Sequence, residues 1–148
     1  MPSREIPPLD TLVPVHVCRT LIDASEEGQQ LFFLRETHGE AVFPIAAGLC
    51  EVAAIQQLID ERGGGDLPLR PLTHELLVSA IESLRGRVER VIITRLEKVT
   101  FFASIVIRGG DREFLLDARP SDAVSVALAA GVPIYVARDL LETISGEP

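Results

Sequence analysis

Cysteine is scarce in this chain, with Cys18 and Cys50 the two thiols among 148 residues. They form neither a C-x-x-C pair nor a dense framework, which excludes a disulfide scaffold and a zinc ribbon. No apolar signal-like segment follows Met1; the start runs through Arg4 and Glu5 into Pro7 and Pro8, against a secretory leader. Long hydrophobic runs are also missing. The longest uncharged stretch, 123–137, holds 15 residues and is broken by Gly131 and Pro133. A membrane-crossing helix needs roughly 20. A soluble, cytoplasmic protein with no membrane partner is expected. Basic charge is short as well: 14 Lys and Arg stand against 22 Asp and Glu, for a net charge of −8. Simple electrostatic binding of DNA or RNA is therefore disfavoured, since nucleic-acid modules usually carry a basic footprint. A metal ion or a local patch is the way round that deficit.

The familiar chemical motifs are absent too. There is no G-x-G-x-x-G, P-loop, H-E-x-x-H, G-x-S-x-G or EF-hand pattern, and Gly63-Gly64-Gly65 lacks the following Lys-Ser/Thr of a phosphate cradle. His16 and His38, on a strand and a turn, are read as structural or exposed.

What is present is an apolar fraction of 47%, enough for a sizeable core, with 10 Pro and 11 Gly scattered rather than clustered. One domain over 1–148 is expected. The mean hydropathy of +0.26 is high for a soluble chain and points to apolar surface shared between subunits of a homo-oligomer. Charge is uneven: residues 1–69 hold 4 basic and 11 acidic groups, residues 70–148 hold 10 and 11. The one locally basic stretch, Arg85, Arg87, Arg90, Arg95 and Lys98 against Glu89 and Glu97, reads as a solvated strand with cross-strand ion pairs.

Periodicity gives an α+β chain in the order βββ-αα-βββ-α-β. Val13, Val15 and Val17 alternate with polar residues, with Pro14 expected at an edge or bulge. The turn Ser25-Glu26-Glu27-Gly28 leads to a strand at 30–35, and 41–45 completes a meander. A helix from about Leu49 ends at Gly63-Gly64-Gly65. A second begins with Thr73 as its N-cap and carries the stripe Leu76, Leu77, Ala80, Ile81 and Leu84 up to Gly86. Strands follow at 88–96, 100–108 and 113–117, with a hairpin turn at Arg108-Gly109-Gly110-Asp111. A third helix, 121–130, is apolar almost all round and hence buried, and Gly131 caps it. A short strand at 133–136 and a helical turn at 138–143 close the chain.

Two helix starts echo each other. Arg70-Pro71-Leu72-Thr73-His74-Glu75 opens one and Arg119-Pro120-Ser121-Asp122 the other. Pro sets φ, Thr73 or Ser121 caps an orphan N–H, and Glu75 or Asp122 complements the positive helix end. Capping does not explain Arg70, Arg119, His74 and Asp117. A cation ahead of a helix start opposes the macrodipole yet suits a site that receives an anion there. Asp117 and Asp122, five residues apart across a turn, suit a hard divalent cation completed by a substrate phosphate. A salt bridge from Arg119 to an Asp, fixing the turn, explains the same residues equally well. Glu51 is the third acid of interest, although a Glu in a first helical turn is also ordinary helix chemistry.

These residues carry a resemblance. Gly48-x-x-Glu51-x-x-Ala54-Ile55, Arg70-Pro71-x-Thr73-His74-Glu75-Leu76, Val88-x-Arg90-Val91, Thr100-Phe101-Phe102-Ala103, Asp117-Ala118-Arg119-Pro120-Ser121-Asp122-Ala123 and Pro133-Ile134-Tyr135-Val136 occur in that order. Together they resemble the bifunctional nuclease domain over roughly residues 13–142. The resemblance implies a compact α+β fold that oligomerises and a nuclease acting on DNA and RNA. The chain departs from the pattern at Phe102, where Tyr is usual, at Val52, where Ala is, and at Glu75, where Asp is common. The additional C-terminal motif of some plant members is not expected here.

The roles expected here rest on chemistry at the motif positions. In a metal-assisted nuclease, Asp117, Asp122 and Glu51 hold Mg²⁺ or Mn²⁺, and His74 is general acid or base. Arg119 stabilises transition-state charge, and Arg70, Thr73 and Ser121 bind substrate. The alternative is a non-catalytic oligomeric module whose Arg-Pro helix starts bind a small anion or a protein; the net charge favours it.

Overall fold

The computed structural model describes residues 5–23, 25, 28–67 and 69–145. The alternating apolar runs form seven strands: β1 (Leu12–Leu21), β2 (Gln30–Glu36), β3 (Val42–Ala47), β4 (Gly86–Glu97), β5 (Thr100–Gly109), β6 (Arg112–Ala118) and β7 (Ile134–Ala137). The helices are α1 (Leu49–Arg62), α2 (Thr73–Ser83), α3 (Pro120–Ala130) and α4 (Arg138–Ser145), and a short 3₁₀ turn covers Leu9–Thr11. This is the expected α+β order, with the last helical turn extended into a full helix that packs Leu140 and Leu141 into the core. Glu26 and Glu27 of the expected acidic turn lie outside the described residues. Among the described residues no helix is long and apolar enough to cross a membrane.

One mixed sheet runs in the order β3-β2-β1-β7-β4-β5-β6, antiparallel throughout except where β4 and β7 pair in parallel. Thus β7, next to last in sequence, joins a first group of strands to a second. Pro14 lies in an inner strand rather than at an edge. It sits opposite Tyr135 of β7, beyond the first β1–β2 pair at Val15, and its carbonyl accepts the Thr37 N–H at 3.0 Å. The irregularity of β1 falls instead between Val17 and Arg19.

The sheet is strongly curled. In a flat sheet β3 and β5 would stand about 24 Å apart, five spacings of about 4.8 Å. Instead the rings of Phe43 on β3 and Phe101 on β5 stack at 6.2 Å between centroids. Inside the curl lies α3, whose Ala123, Val124, Val126 and Ala127 are buried against Val15, Phe32, Phe43, Val91, Ile93 and Ile105 of the sheet. The residue pattern makes this possible, because small and β-branched side chains cover the whole circumference of α3. Gly131 ends the helix in the left-handed region at φ 72°, as its position predicts. The convex face has a smaller cluster of Leu12, Ile92 and Val106, with Ile6, Leu115 and Tyr135 packed on it.

Helix α2 corrects the expected packing. It buries Val78, while Leu76, Leu77 and Leu84 are exposed, Leu84 to 84%. The line that faces inward is His74, Val78 and Ile81, because His74 is drawn toward α3 by a polar partner described below. The basic stretch behaves as expected: Glu89 pairs with Arg87, Arg90 and Arg108, and Arg108 also bonds Glu113 at 2.7 Å.

Candidate functional site

The site is built where three helices begin. Glu51 lies in the first turn of α1, His74 in that of α2 and Asp122 in that of α3. The hydroxyl caps expected at two of these starts are absent. Leu72, not Thr73, is the N-cap of α2, and the Glu75 carboxylate accepts the Leu72 N–H at 2.9 Å. Arg119, not Ser121, is the N-cap of α3, with Pro120 at the first helical position and Ser121 buried. Pro fits that first position because its missing N–H has no intrahelical partner there. Each expected cap residue is shifted one or two places into its helix.

Arg119 then reaches back over its own helix. Its Nε donates to Asp122 Oδ2 at 2.7 Å and its Nη2 to Oδ1 at 3.1 Å, a bidentate pair. On the far side of Asp122, His74 Nε2 stands 3.0 Å from Oδ1. On the far side of Arg119, Glu51 Oε2 lies 4.0 Å from Nη1. Glu51, Arg119, Asp122 and His74 form one polar chain that links α1, α3 and α2. The guanidinium holds the Asp122 carboxyl below its ordinary range, with burial opposing and the His74 bond adding to the effect. Asp122 in turn raises the Arg119 pKa further above its usual value.

Local backbone geometry shapes this chain. A Cβ built at Gly48, the N-cap of α1, would run into the Glu51 carboxylate. Glycine there leaves the space into which Glu51 folds back, which gives the Gly48-x-x-Glu51 spacing a steric reason.

Beside the chain is a cavity of about 560 Å³, in the slot left where the curled sheet fails to close. Segments 44–48, 99–102 and 117–121 line it, with Leu31 and Glu51. Register sets its two lips. Phe101 and Ala118 are on the concave, helix side, whereas Phe102 and Asp117 follow Arg95 and Ser104 onto the convex side. The Arg95 guanidinium covers the Phe102 ring at 4.0 Å from its centroid.

The sequence-based candidates therefore divide. Glu51, His74, Arg119 and Asp122 are brought together, and Glu51, Asp117, Arg119 and Ser121 border the cavity. Asp117 has no hydrogen-bond or ion-pair partner among the described residues and stands on the other face of the sheet from Asp122. Arg70 and Thr73 are exposed and join neither group. Among the described residues no three His, Cys, Asp or Glu side chains gather closely enough to hold a metal ion. The donors are nevertheless hard carboxylate oxygens, and Glu51, Asp117 and Asp122 against Arg119 leave a formal −2. They do not form a closed resident metal centre, since Asp122 is committed to Arg119 and His74; Glu51 and Asp117 are the carboxylates left at the cavity. The wall from β3 and the β4–β5 turn is built from residues that carry no chemical motif. Only the Thr100-Phe101-Phe102-Ala103 motif pointed toward it.

Similarity to known proteins covers this same region. Two Mycobacterium tuberculosis proteins, the uncharacterized proteins Rv1829 of strain H37Rv and MT1877 of strain CDC 1551, are each 39% identical to this chain over 115 residues. The match takes in 78% of this chain and 66% of the length of either relative. A family model of the bifunctional nuclease domain matches residues 32–147, from β2 through α4 and with every candidate residue inside it. The chain belongs to the bifunctional nuclease domain family.

Proposed function

We propose that the chain is a nuclease that hydrolyses phosphodiester bonds of DNA and RNA at the slot bordered by Glu51, Asp117 and Arg119. The observation that carries this reading is the convergence of three helix starts on one Arg–carboxylate–His chain beside a cavity. Helix starts present unpaired N–H groups and a positive dipole end, which favour a phosphate. Arg119 spends two N–H donors on Asp122 and keeps others for a phosphate oxygen. Asp122 fixes Arg119 and His74 together. Because it binds His74 Nε2, the other ring nitrogen, Nδ1, is left as the one that would exchange a proton with the substrate or a water.

A divalent ion, Mg²⁺ or Mn²⁺, belongs to this reading as a partner of the substrate phosphate. Glu51 and Asp117 are the carboxylates that would hold it, and it would neutralise charge and acidify a bound water. The exposed leucines of α2 fit a homo-oligomer. A second reading is favoured by the carboxylates around Arg119: a non-catalytic module for a small anion or a protein.

The test is cleavage of single-stranded DNA and of RNA by purified protein with Mg²⁺, with Mn²⁺ and with chelator. Asp117→Asn and Arg119→Ala proteins, purified identically and shown to be folded, serve as controls. Metal-dependent cleavage lost in Asp117→Asn and lowered about 10²-fold or more in Arg119→Ala is expected. Equal cleavage by all three proteins would sink the assignment of the site. No cleavage by any would favour the binding module.

A further inference from the structure

We infer that the slot is a subsite for one unpaired nucleobase, with the adjoining phosphate at Arg119, so that the substrate is a single-stranded or locally melted nucleic acid. The inference rests on the nuclease reading above and goes beyond it in naming what enters the cavity. The walls are apolar: Pro44 and Ala46 on one side, Val99, Phe101 and Phe102 on the other. The charged groups Glu51, Asp117 and Arg119 border it where β6 passes into α3 and α1 begins. A ligand matched to this arrangement has a flat apolar body and an anionic group at one edge, which describes a nucleotide.

At about 560 Å³ the cavity lies within the usual range of small-molecule sites, about 300–1,000 Å³, and takes one base where it has no room for a duplex. A base inside a duplex is stacked on both faces, so entry requires a strand that is unpaired or opened. Phe102 lines the slot, and its ring is held by the Arg95 guanidinium, which is itself bonded to Glu97. Stacking on an aromatic ring does not depend on the sugar, because DNA and RNA bases offer the same π faces. Such a subsite accepts both polymers.

The experiment uses the full chain with Mn²⁺ and a single-stranded oligonucleotide carrying 2-aminopurine, whose fluorescence falls on stacking. The same strand annealed to its complement is the comparison. Fluorescence is read in the first seconds after mixing, and cleavage afterwards. Quenching with the single strand only, and cleavage of it about tenfold or more faster than of the duplex, are expected. Ala46→Trp fills the slot and Phe102→Leu removes the ring while keeping an apolar wall; each is expected to weaken single-strand binding about tenfold. Two variants on opposite walls guard against one of them failing to fold. Equal cleavage of single strand and duplex, with both variants at wild-type rates, would overturn the subsite and leave the nuclease reading standing. Quenching without cleavage of any strand would uphold the subsite and remove the nuclease reading. Absence of quenching overturns the subsite whatever the cleavage result.

Discussion

Gly48 shows how much of the site depends on an atom that is missing. Adding a methyl group there, Gly48→Ala, pushes the Glu51 carboxylate away from Arg119. The backbone at Gly48, φ −73° and ψ 165°, is open to any residue, so the fold has no reason to change. The expected outcome is a stability change under about 1 kcal/mol, typical of altering an N-cap, with nuclease activity down about tenfold or more. Thermal melts and cleavage rates on the same preparation separate the two effects. Asp122 gives a second test at this scale, through pH. Its carboxyl is held below the ordinary value of 3.8 by Arg119, so the charged form is favoured in the folded state. That stabilisation is fully present above the unfolded value and is lost as pH falls through the lower folded one. Wild type and Asp122→Asn are therefore expected to differ in melting temperature near neutral pH and to converge below about pH 3.8. A gap that persists undiminished into that acid range would mean that Asp122 stabilises by packing and not by its charge. At single positions the sequence was informative about residue types but not about partners. Arg119 and His74 stood out as groups that capping does not explain, and a salt bridge from Arg119 to an Asp was one reading of the turn, which Asp122 fulfils; nothing in the spacing showed that His74 and Glu51 would join the same chain from other helices.

At the scale of elements, β4 is the clearest case, because adjacent residues belong to different layers. Ile93 faces α3 on the concave side and Ile92 faces the smaller convex cluster, and both are fully buried. Ile92→Ala and Ile93→Ala are each expected to cost about 2–5 kcal/mol, measured by denaturant unfolding. A negligible cost at Ile92 would mean that the convex cluster does not hold in solution. The elements themselves were legible: all seven strands and α1, α2 and α3 follow from alternation, from apolar runs of helical length and from Gly or Pro at their ends. Three features were not. The leucine stripe of α2 has the spacing of a buried face, but the helix is turned by His74 reaching Asp122, a contact 48 residues away in sequence. The caps slipped because Pro120 and Glu75 satisfy helix-start geometry without the hydroxyls. The curl of the sheet brings Phe43 to Phe101, a long-range contact with no local signature, and the slot lies where that curl stays open.

For the molecule as a whole, charge and apolar surface make separate demands. On the nuclease reading, a chain of net charge −8 with Arg119 as the cation lining the slot would neutralise about one phosphate of a single strand. The logarithm of its affinity is then expected to fall with the logarithm of salt at a slope of about −0.7, shallow for a nucleic-acid binder. A titration at several salt concentrations, read by the 2-aminopurine signal, gives that slope. Exposed Leu67, Leu69, Leu76, Leu77 and Leu84, around and along α2, form the surface expected to be shared in an oligomer. Sedimentation of wild type against a Leu76→Glu, Leu77→Glu double variant checks it. A wild-type monomer, or an oligomer that the variant leaves intact, would exclude this surface. The position of β7 has a consequence in time as well as in space. A strand formed by residues 134–137 sits between β1 and β4, so synthesis delivers the centre of the sheet after its other six strands. Until then the N-terminal meander and the β4–β6 meander have no strand to join them, and each keeps a bare edge ready to pair with another chain. Pairings of such wide sequence separation form slowly, on the millisecond to second scale typical of non-local β folds. A ribosome stalled before residue 134 would leave two half-sheets in search of a partner, and the nearest one available would be the same half-sheet on a neighbouring chain.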